Sequence, residues 1–357
     1  MRIILLVDMD YFFAACEELR KPEIRGKPVV VGANPKNGLG RGVVSTCNYP
    51  ARKYGIHSGM PISMAYRLKP DAVFLPVDDA YYESVSKNVM AIIKSHADRF
   101  EQASIDEAFA DVSKSAQSYE DALEIAKKIK NEIKEKLGLP CSIGIGPNKL
   151  IAKMACEAAK PEGIKLVKEE DAKAFVAEMP VEKLYGVGKK TAAKLLAEGY
   201  KTVGDLANAS IMRLVEEFGA YGTELHNSAN GIDYGEVQEN YEVKSIGREK
   251  TFEKDTDNMQ TLSNEIREQA KEIAGEIKRQ GLAFTTITIK LRYSNFDEHI
   301  KSKTINYASD SEADIAKFAI ELLNDSYSGE MTVRKIGVRV SGLRPYKGQR
   351  KLSHYFY

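Results

Sequence analysis

The segment Ser104-Ile105-Asp106-Glu107-Ala108 places two adjacent carboxylates in a predicted tight hairpin, with one strand before it and one after it. An apolar run near the start of the chain, residues 3–7, predicts a buried strand that ends at Asp8. Three acids at the ends of neighbouring strands repel one another unless cations lie between them. Carboxylate oxygens suit Mg²⁺, which completes its shell with water and substrate phosphates. Two such ions about 3.5–4 Å apart can clamp the attacking and leaving oxygens of a phosphoryl displacement.

The acidic pair alone does not establish a metal site. Paired acids are common in solvated turns, where Asp is favoured by its local hydrogen bonds. From the pair alone, a surface turn is therefore the commoner outcome, and the metal interpretation depends on the rest of the chain.

Bulk composition limits the class of protein. A chain of 357 residues is long enough for roughly two to four domains. The 52 Lys and Arg residues nearly balance the 51 Asp and Glu residues, so any basic groove for nucleic acid must come from local arrangement. The chain has no signal peptide and no run of about 18 apolar residues, so we expect a cytoplasmic protein without a membrane span. Four cysteines lack metal-ligand or disulfide spacing and are expected to be buried thiols: Cys16, Cys47, Cys141 and Cys156.

The order of predicted elements divides the chain into three regions and a linker. Residues 166–232 are expected to be all-helical, residues 233–243 form a polar linker, and residues 244–344 form a separate α+β unit. Strand and helix signals alternate in the region before them. The predicted strands there are 3–8, 29–32, 43–46, 100–105, 108–112 and 141–145, and the predicted helices are 13–19, 81–96, 119–137 and 148–159.

The segment Gly186-Val187-Gly188-Lys189 resembles the turn of a helix-hairpin-helix motif. A glycine turn between two short helices would aim backbone N–H groups at a phosphate without reading bases. A plain helix connection with a glycine C-cap explains the motif equally well. A phosphate-binding P-loop is excluded, because Lys183 and Lys190 stand where that motif requires a glycine and a Ser or Thr.

Two predicted strands of the C-terminal unit alternate polar and apolar residues. Thr286, Thr288, Lys290 and Arg292 alternate with apolar residues in one strand, and Lys335, Arg339 and Ser341 do so in another. Period-two alternation puts the basic and hydroxyl side chains on one sheet face. That face is either an ordinary solvated surface or a surface laid against phosphates.

Several short segments occur in a fixed order, and together they resemble the Y-family (translesion) DNA polymerases of the archaeal and bacterial DNA polymerase IV type. The resemblance covers nearly the whole chain. The segments are VDMDYFF at 7–13, GKPVVV at 26–31, NY at 48–49, ARKYG at 51–55, SIDEA at 104–108, GIGPNK at 144–149, KPEG at 160–163, the hairpin and RKIGVR at 334–339.

The resemblance implies an α+β multidomain fold with a right-hand architecture. A ferredoxin-like palm would comprise residues 1–10 and 78–165, with small fingers at 11–77 between its two parts. A helical thumb at 166–232 would contain the helix-hairpin-helix, and the linker at 233–243 would lead to an α+β little finger at 244–344 and a tail at 345–357.

The resemblance also implies the activity. The protein would add deoxynucleotides to a primer 3′-hydroxyl on template DNA, past damaged bases, with low fidelity and without a proofreading exonuclease. It would work as a monomer with two Mg²⁺ ions, for which Mn²⁺ could substitute. Another palm-type two-metal nucleotidyl transferase or cyclase would keep the acids but leave the hairpin, the basic face and the tail without a purpose. A non-catalytic DNA-binding module would not need three such acids.

Residue roles follow from the same resemblance. Asp8 and Asp106 would bridge both metals, Glu107 would hold one, and the carbonyl of Met9 would join the other. Phe13 would be the steric gate that excludes a ribose 2′-hydroxyl. The nucleotide would be bound by Phe12, Phe13, Thr46, Tyr49, Arg52 and Lys160, and the DNA by Gly186, Gly188, Lys189, Lys290, Arg292, Lys335 and Arg339. Two positions depart from the family pattern: Met9 stands where many relatives carry Phe, and Pro50 replaces an acidic residue.

The last residues of the chain form a second distinctive pattern. Gln349, Leu352, Tyr355 and Phe356 fit the Q-x-x-L-x-x-aromatic-aromatic pattern of peptides that bind sliding clamps. A one-turn helix would present the three apolar side chains together to a groove. The alternative is an aromatic tail that folds back on the body.

Overall fold

A computed structural model describes residues 1–239, 242–327 and 329–346. The chain divides into two compact units, residues 1–240 and 241–357. The two units are described separately.

The first unit contains eight strands and eleven helices among its described residues, with short 3₁₀ turns between some of them. The strands are β1 (Ile4–Met9), β2 (Val29–Gly32), β3 (Val44–Cys47), β4 (Val73–Leu75), β5 (Arg99–Gln102), β6 (Glu107–Asp111), β7 (Cys141–Gly146) and β8 (Ile164–Leu166). The helices are α1 (Phe12–Arg20), α2 (Tyr49–Arg52), α3 (Ile62–Leu68), α4 (Asp79–Ser95), α5 (Tyr119–Leu137), α6 (Lys149–Ala159), α7 (Ala172–Ala177), α8 (Lys189–Ala197), α9 (Val203–Asn208), α10 (Ile211–Phe218) and α11 (Ala220–Ala229).

The central sheet has the order β5-β6-β1-β7-β8, with β1 antiparallel to both β6 and β7. The path β1–α4–β5–β6–α5–β7 gives the predicted ferredoxin-like arrangement. Every residue of β1 is buried, because the sheet is covered on both faces. Leu5 and Val7 join a core with α4 and α5, whereas Ile4 and Leu6 face Ala152 of α6.

Helix α6 lies unusually close to the central sheet. A Cβ atom on Gly144 would come within 2.0 Å of the carbonyl oxygen of Ala152, so only glycine allows this approach. The helix begins at an Asn148 cap, whose side chain accepts a hydrogen bond from the N–H of Ile151 at 2.9 Å. Its polar side chains thereby reach the strand ends of the sheet.

A smaller sheet of order β3-β2-β4 packs with helices α2 and α3 around its own core. Asn48 joins these parts: its side-chain oxygen accepts hydrogen bonds from the N–H groups of Ala51 in α2 and Val29 in β2. Pro50 is in the first turn of α2, where the lack of an N–H is tolerated. Helices α7 to α11 form the predicted all-helical region around a separate apolar core.

The second unit is a four-strand sheet of order β11-β10-β12-β9, with two helices packed against its apolar face. The predicted alternation in β10 and β12 is confirmed, since their apolar residues are buried against those helices. The elements of this unit are β9 (Ser245–Thr256), α12 (Met259–Arg279), β10 (Leu282–Tyr293), β11 (Glu298–Ser309), α13 (Glu312–Ser326), β12 (Val333–Ser341) and a short β13 (Arg344–Pro345) that pairs with β10.

The structure corrects some predicted boundaries. The strand predicted at 100–105 ends at Gln102, because the Ser104 hydroxyl accepts hydrogen bonds from the N–H groups of Asp106 and Glu107 and closes a turn. The all-helical region and the helix at 119–137 are confirmed, and the structure adds a Ser118 cap to that helix. All four cysteines are buried free thiols. Among the described residues, no helix combines the length and apolar character that a bilayer crossing requires.

Candidate active site

The three predicted acids meet where β1 ends and β6 begins. Asp8 lies directly opposite Glu107 in the antiparallel register of these strands. The N–H of Met9 donates to the carbonyl of Asp106 at 2.9 Å, which fixes the turn against β1. The Ser104 hydroxyl donates to the Asp106 carboxylate at 2.5 Å. Sheet pairing and one short turn therefore bring together acids that are about a hundred residues apart in the chain.

The electrostatics of this cluster disfavour three negative charges. Burial raises the pKa of the Asp106 carboxyl, and the neighbouring Asp8 carboxylate adds to the shift. Burial also raises the pKa of Glu107, although the hydrogen bond from Lys153 opposes that effect. The site therefore favours a cation among its carboxylates.

Two lysines from α6 and its C-terminal end supply positive charge in this structure. The Lys153 ammonium lies 3.2 Å from the Asp8 carboxylate and also contacts the Glu107 carboxylate directly. The Lys160 ammonium lies 2.9 Å from the same Asp8 oxygen and 2.8 Å from Glu157. Burial lowers the pKa of Lys153, but the hydrogen bond to Glu107 and the charge of Asp8 outweigh it, and the net pKa is raised.

The donor set fits a hard divalent cation, because three carboxylates and the Met9 carbonyl are oxygen ligands at one sheet edge. As the side chains stand, no three acidic, thiol or imidazole groups in the described residues are grouped closely enough to hold a metal ion. The reason is visible in the contacts, since Lys153 bridges Asp8 and Glu107. A metal ion would have to displace this ammonium.

The predicted nucleotide ligands lie on the elements that follow β1 and β3. Phe12 and Phe13 form the first turn of α1, where N–H groups have no carbonyl partner within the helix. Thr46 is a half-buried residue of β3. Arg52 donates from Nε to the carbonyl of Cys47 at 3.1 Å, and its guanidinium lies 4.8 Å from the centre of the Tyr49 ring. Lys160 forms ion pairs with Asp8 and Glu157 and is therefore not an isolated surface cation.

The ring of Phe13 packs against another aromatic ring. It stacks on the Tyr82 ring with centroids 4.4 Å apart and an interplanar angle of 13°. The Tyr82 hydroxyl donates to the buried Glu17 carboxylate at 3.0 Å. Phe13 is thus half-buried on a rigid support rather than a mobile surface ring.

The hairpin residues adopt a tight turn before α8. Gly186 has a φ of 92°, a conformation that favours glycine, and its carbonyl accepts a hydrogen bond from the Tyr221 hydroxyl at 2.9 Å. Gly188 caps α8 and Lys189 is its first residue. The first of the two expected helices is only a 3₁₀ turn, Val181–Lys183.

The predicted basic face of the second unit carries acids as well. Lys335 contacts Glu249 directly, and Lys290 lies 3.6 Å from Glu249 and 3.1 Å from Glu298. Arg292 also contacts Glu298. Arg339 is an exposed residue of β12 on the same face as Thr288, its register partner. The face is therefore mixed in charge, which the alternation in β10 and β12 did not indicate. The predicted clamp-binding residues Gln349, Leu352, Tyr355 and Phe356 lie outside the described residues.

Sequence reasoning missed three residues of the site. Lys153 and Glu157 are spaced as an ordinary exposed i, i+4 ion pair on a helix, which is the usual meaning of that pattern. Asp10 directly follows strand β1, a position where Asp usually indicates a turn. The spacing of Asp8 and Asp10 by two along an extended chain was the available signal, because it places both carboxylates on one side.

Comparisons with known proteins find related sequences over nearly the whole chain. Residues 7–157 match the model of the impB/mucB/samB family, residues 243–354 match the model of its C-terminal domain, and residues 182–233 match a model described as DNA polymerase-iota, thumb domain. A DNA polymerase IV from Methanoculleus marisnigri is 47% identical over 343 residues, which is 96% of this chain and 94% of that protein.

Solved structures are similar as well. A Y-family DNA polymerase chimera, Dbh-Dpo4(243-245)-Dbh, matches with a TM-score of 0.88 and 31% identity, over 95% of this chain and 98% of that one. An insertion ternary complex of Dbh DNA polymerase matches with a TM-score of 0.68 and 29% identity, over the same shares of the two chains.

Proposed function

Since this chain belongs to the Y family of DNA polymerases, we propose that Asp8, Asp106 and Glu107 are the carboxylates at which it joins nucleotides. The protein is a DNA-directed DNA polymerase of the translesion type, which binds primer–template DNA and deoxynucleoside triphosphates and depends on divalent metal. The register pair Asp8 and Glu107, with the Asp106 turn fixed to Met9, supports the assignment most directly.

Asp8, Asp106, Glu107 and the Met9 carbonyl would hold two Mg²⁺ ions, with Mn²⁺ as a substitute. When bound, these ions neutralise the charge that develops on the transferring phosphoryl group. The chain itself must release its carboxylates from Lys153 for this to happen. Another palm-type nucleotidyl transferase would use the same acids, but it gives no role to the hairpin or to the second unit.

The incoming nucleotide would be bound by residues of α1, β3 and α2 together with Lys160. The guanidinium of Arg52, steadied by Cys47 and the Tyr49 ring, suits a bidentate grip on a phosphate, and Lys160 acts as a point charge. Thr46 and the N–H groups of Phe12 and Phe13 add hydrogen bonds. Phe13, supported by Tyr82, would exclude the ribose 2′-hydroxyl.

The remaining regions would hold DNA and partners. We infer a palm at 1–10 and 78–165, fingers at 11–77, a thumb at 166–232, a linker at 233–243 and a little finger at 244–344. The thumb hairpin would contact DNA backbone through Gly186, Gly188 and Lys189, and the little finger through Lys290, Arg292, Lys335 and Arg339. The enzyme would act as a cytoplasmic monomer, and its tail at 345–357 would bind a sliding clamp.

Asp106→Asn tests the metal assignment. Primer extension in Mg²⁺ should fall by roughly a thousandfold or more, because one oxygen ligand is lost where charge develops. Affinity for primed DNA, measured by fluorescence anisotropy, should change little, because Asp106 has no role in DNA affinity. Asp111→Asn is the matched control, since Asp111 is an acid at the far end of β6, the strand that directly follows Asp106. Extension by Asp106→Asn at the rate of Asp111→Asn would remove the assignment.

Deletion of residues 346–357 tests the tail. Extension without a clamp should be unchanged, whereas stimulation by an added sliding clamp should be lost. Full stimulation of the truncated protein would rule out the tail as the clamp-binding peptide.

A further inference from the structure

Asp10 is a buried acid that the reaction described above does not use. Its residue is 1% exposed, although a carboxylate is costly to bury without partners. The partners are present. The Ser142 hydroxyl lies 3.1 Å and 3.0 Å from the two carboxylate oxygens, the Tyr49 hydroxyl donates to one of them at 3.1 Å, and the N–H of Glu162 donates to the other at 2.8 Å.

These three donors belong to three different parts of the first unit. Ser142 is in β7 of the central sheet, Tyr49 begins α2 beside the smaller sheet, and Glu162 follows Lys160 by two residues. Tyr49 and Lys160 are both proposed ligands of the triphosphate. Asp10 therefore connects the segments that carry these two ligands, which are 111 residues apart in sequence.

Tyr49 has one hydroxyl hydrogen, and its direction is set by Asp10. Burial, together with the Asp10 carboxylate, raises the pKa of Tyr49, so the phenol remains a donor. The orientation of the ring affects its neighbours, because Arg52 lies over the Tyr49 ring and the Tyr11 ring meets it edge-on at 5.3 Å. The Asp10 carboxylate thus positions the Tyr49 phenol and the turn at Glu162 directly, and the Arg52 guanidinium through the Tyr49 ring.

We propose that Asp10 is a positioning residue for the incoming nucleotide, holding Tyr49 and the turn after Lys160 in place against the sheet before the triphosphate arrives. The inference rests on the proposed nucleotide site. A preorganised site binds more tightly because less order is lost on binding. A purely structural role for Asp10 would instead lower stability without changing nucleotide affinity in the protein that remains folded.

Single-nucleotide incorporation on saturating primed DNA tests this role. In Asp10→Asn the side chain keeps one acceptor oxygen, so it cannot accept from Tyr49 and Glu162 on two separate oxygens. KM for the deoxynucleotide should therefore rise about tenfold. The rate at saturating nucleotide should fall less, and affinity for DNA should be unchanged. In combination with Tyr49→Phe, the two effects should be less than multiplicative, because both remove the same contact.

Glu101→Gln is the matched control, since Glu101 is a 2% exposed acid of the same sheet that binds Lys149. Its KM should equal that of the wild type. Ser142→Ala provides a milder variant, which loosens Asp10 but keeps its other two donors, and its KM should rise about two- to fivefold. Circular dichroism verifies that each protein is folded at the assay temperature.

The positioning role is overturned by a KM within about twofold of wild type in folded Asp10→Asn and Ser142→Ala. It is also overturned by fully multiplicative effects with Tyr49→Phe, or by an equal rise in Glu101→Gln. Asp106→Asn, assayed in parallel, separates the two claims. If it extends primers normally, the proposed site fails, whereas a normal KM in Asp10→Asn beside an inactive Asp106→Asn overturns only the role of Asp10.

Discussion

Replacing Lys153 by Met removes the ammonium that neutralises Asp8 and Glu107. The folded protein should then depend on a bound metal ion for its full stability. Lys153 has a side chain only 13% exposed, between Asp8 at 10% and Glu107 at 18%. Met fills a similar volume without charge. The variant therefore leaves two poorly hydrated carboxylates with less countercharge, although Lys160 still lies 2.9 Å from Asp8.

The size of the effect follows from these contacts. Removing one partner of a buried ion pair destabilises a protein by about 3–5 kcal/mol. Because Lys160 remains, we expect the free energy of unfolding of the metal-free protein to fall by a smaller amount, about 2–3 kcal/mol. For a unit of this size, that lowers Tm by roughly 5–10 °C. The same ammonium competes with metal in the wild type, so its removal should tighten metal binding by about 2 kcal/mol, or roughly thirtyfold.

Two measurements without DNA or nucleotide check this expectation. Thermal unfolding of Lys153→Met in EDTA should show the lowered Tm, and Ca²⁺ should restore most of it by binding the folded state. Calorimetric titration with Ca²⁺ or Mn²⁺ should show the tighter affinity. Lys149→Met is the control, because Lys149 lies 2.7 Å from the buried Glu101 away from the site. That variant should lose stability without recovery in Ca²⁺.

The reasoning about Lys153 is refuted if the variant and the wild type bind Ca²⁺ equally well. It is refuted equally if Ca²⁺ restores Lys149→Met to the same extent.

Two further perturbations address sugar selection and DNA binding. Tyr82→Leu removes the ring behind Phe13, so ribonucleotide use relative to deoxynucleotide use should rise about three- to tenfold in kcat/KM; an unchanged ratio would show that Phe13 needs no support. Replacing both Glu249 and Glu298 by Gln frees cations on the mixed face, so binding to primed duplex should tighten about three- to tenfold at low salt and depend more steeply on salt. Anisotropy titrations measure this, and Glu321→Gln, which frees Lys303 elsewhere in the unit, should leave affinity unchanged.

Strong periodic patterns made the main elements predictable. The strand that ends near Asp8 and the helix at 119–137 were predicted nearly to the residue, because a continuous apolar run and a helical apolar period are both visible in the sequence. Helix α3 and strands β4 and β8 were not predicted, since the three residues of each strand are too few to show alternation and the seven residues of α3 cover less than two helical turns.

Strand prediction alone brought together only the site residues that share a register, and the other site residues were predicted from the family resemblance. Asp8 and Glu107 are cross-strand partners, so strand prediction brings them together. The contacts of Lys153 and Asp10 depend on tertiary packing, namely the closeness of α6 to the sheet and the path of three separate segments around one carboxylate. Lys153 has no local sequence signal beyond an ordinary ion pair, and the signal for Asp10 is limited to its spacing by two from Asp8.

The close seating of α6 has a consequence for how this enzyme can diversify. With the Ala152 carbonyl where a Gly144 side chain would stand, any larger residue at this position would force the helix away from β7. Lys153 and Glu157, which follow Ala152 on α6, would be displaced with the helix. New substrate preferences, whether acquired by mutation or by laboratory selection, should arise from replacements around α2 and the smaller sheet. The packing of α6 on the central sheet should stay unchanged.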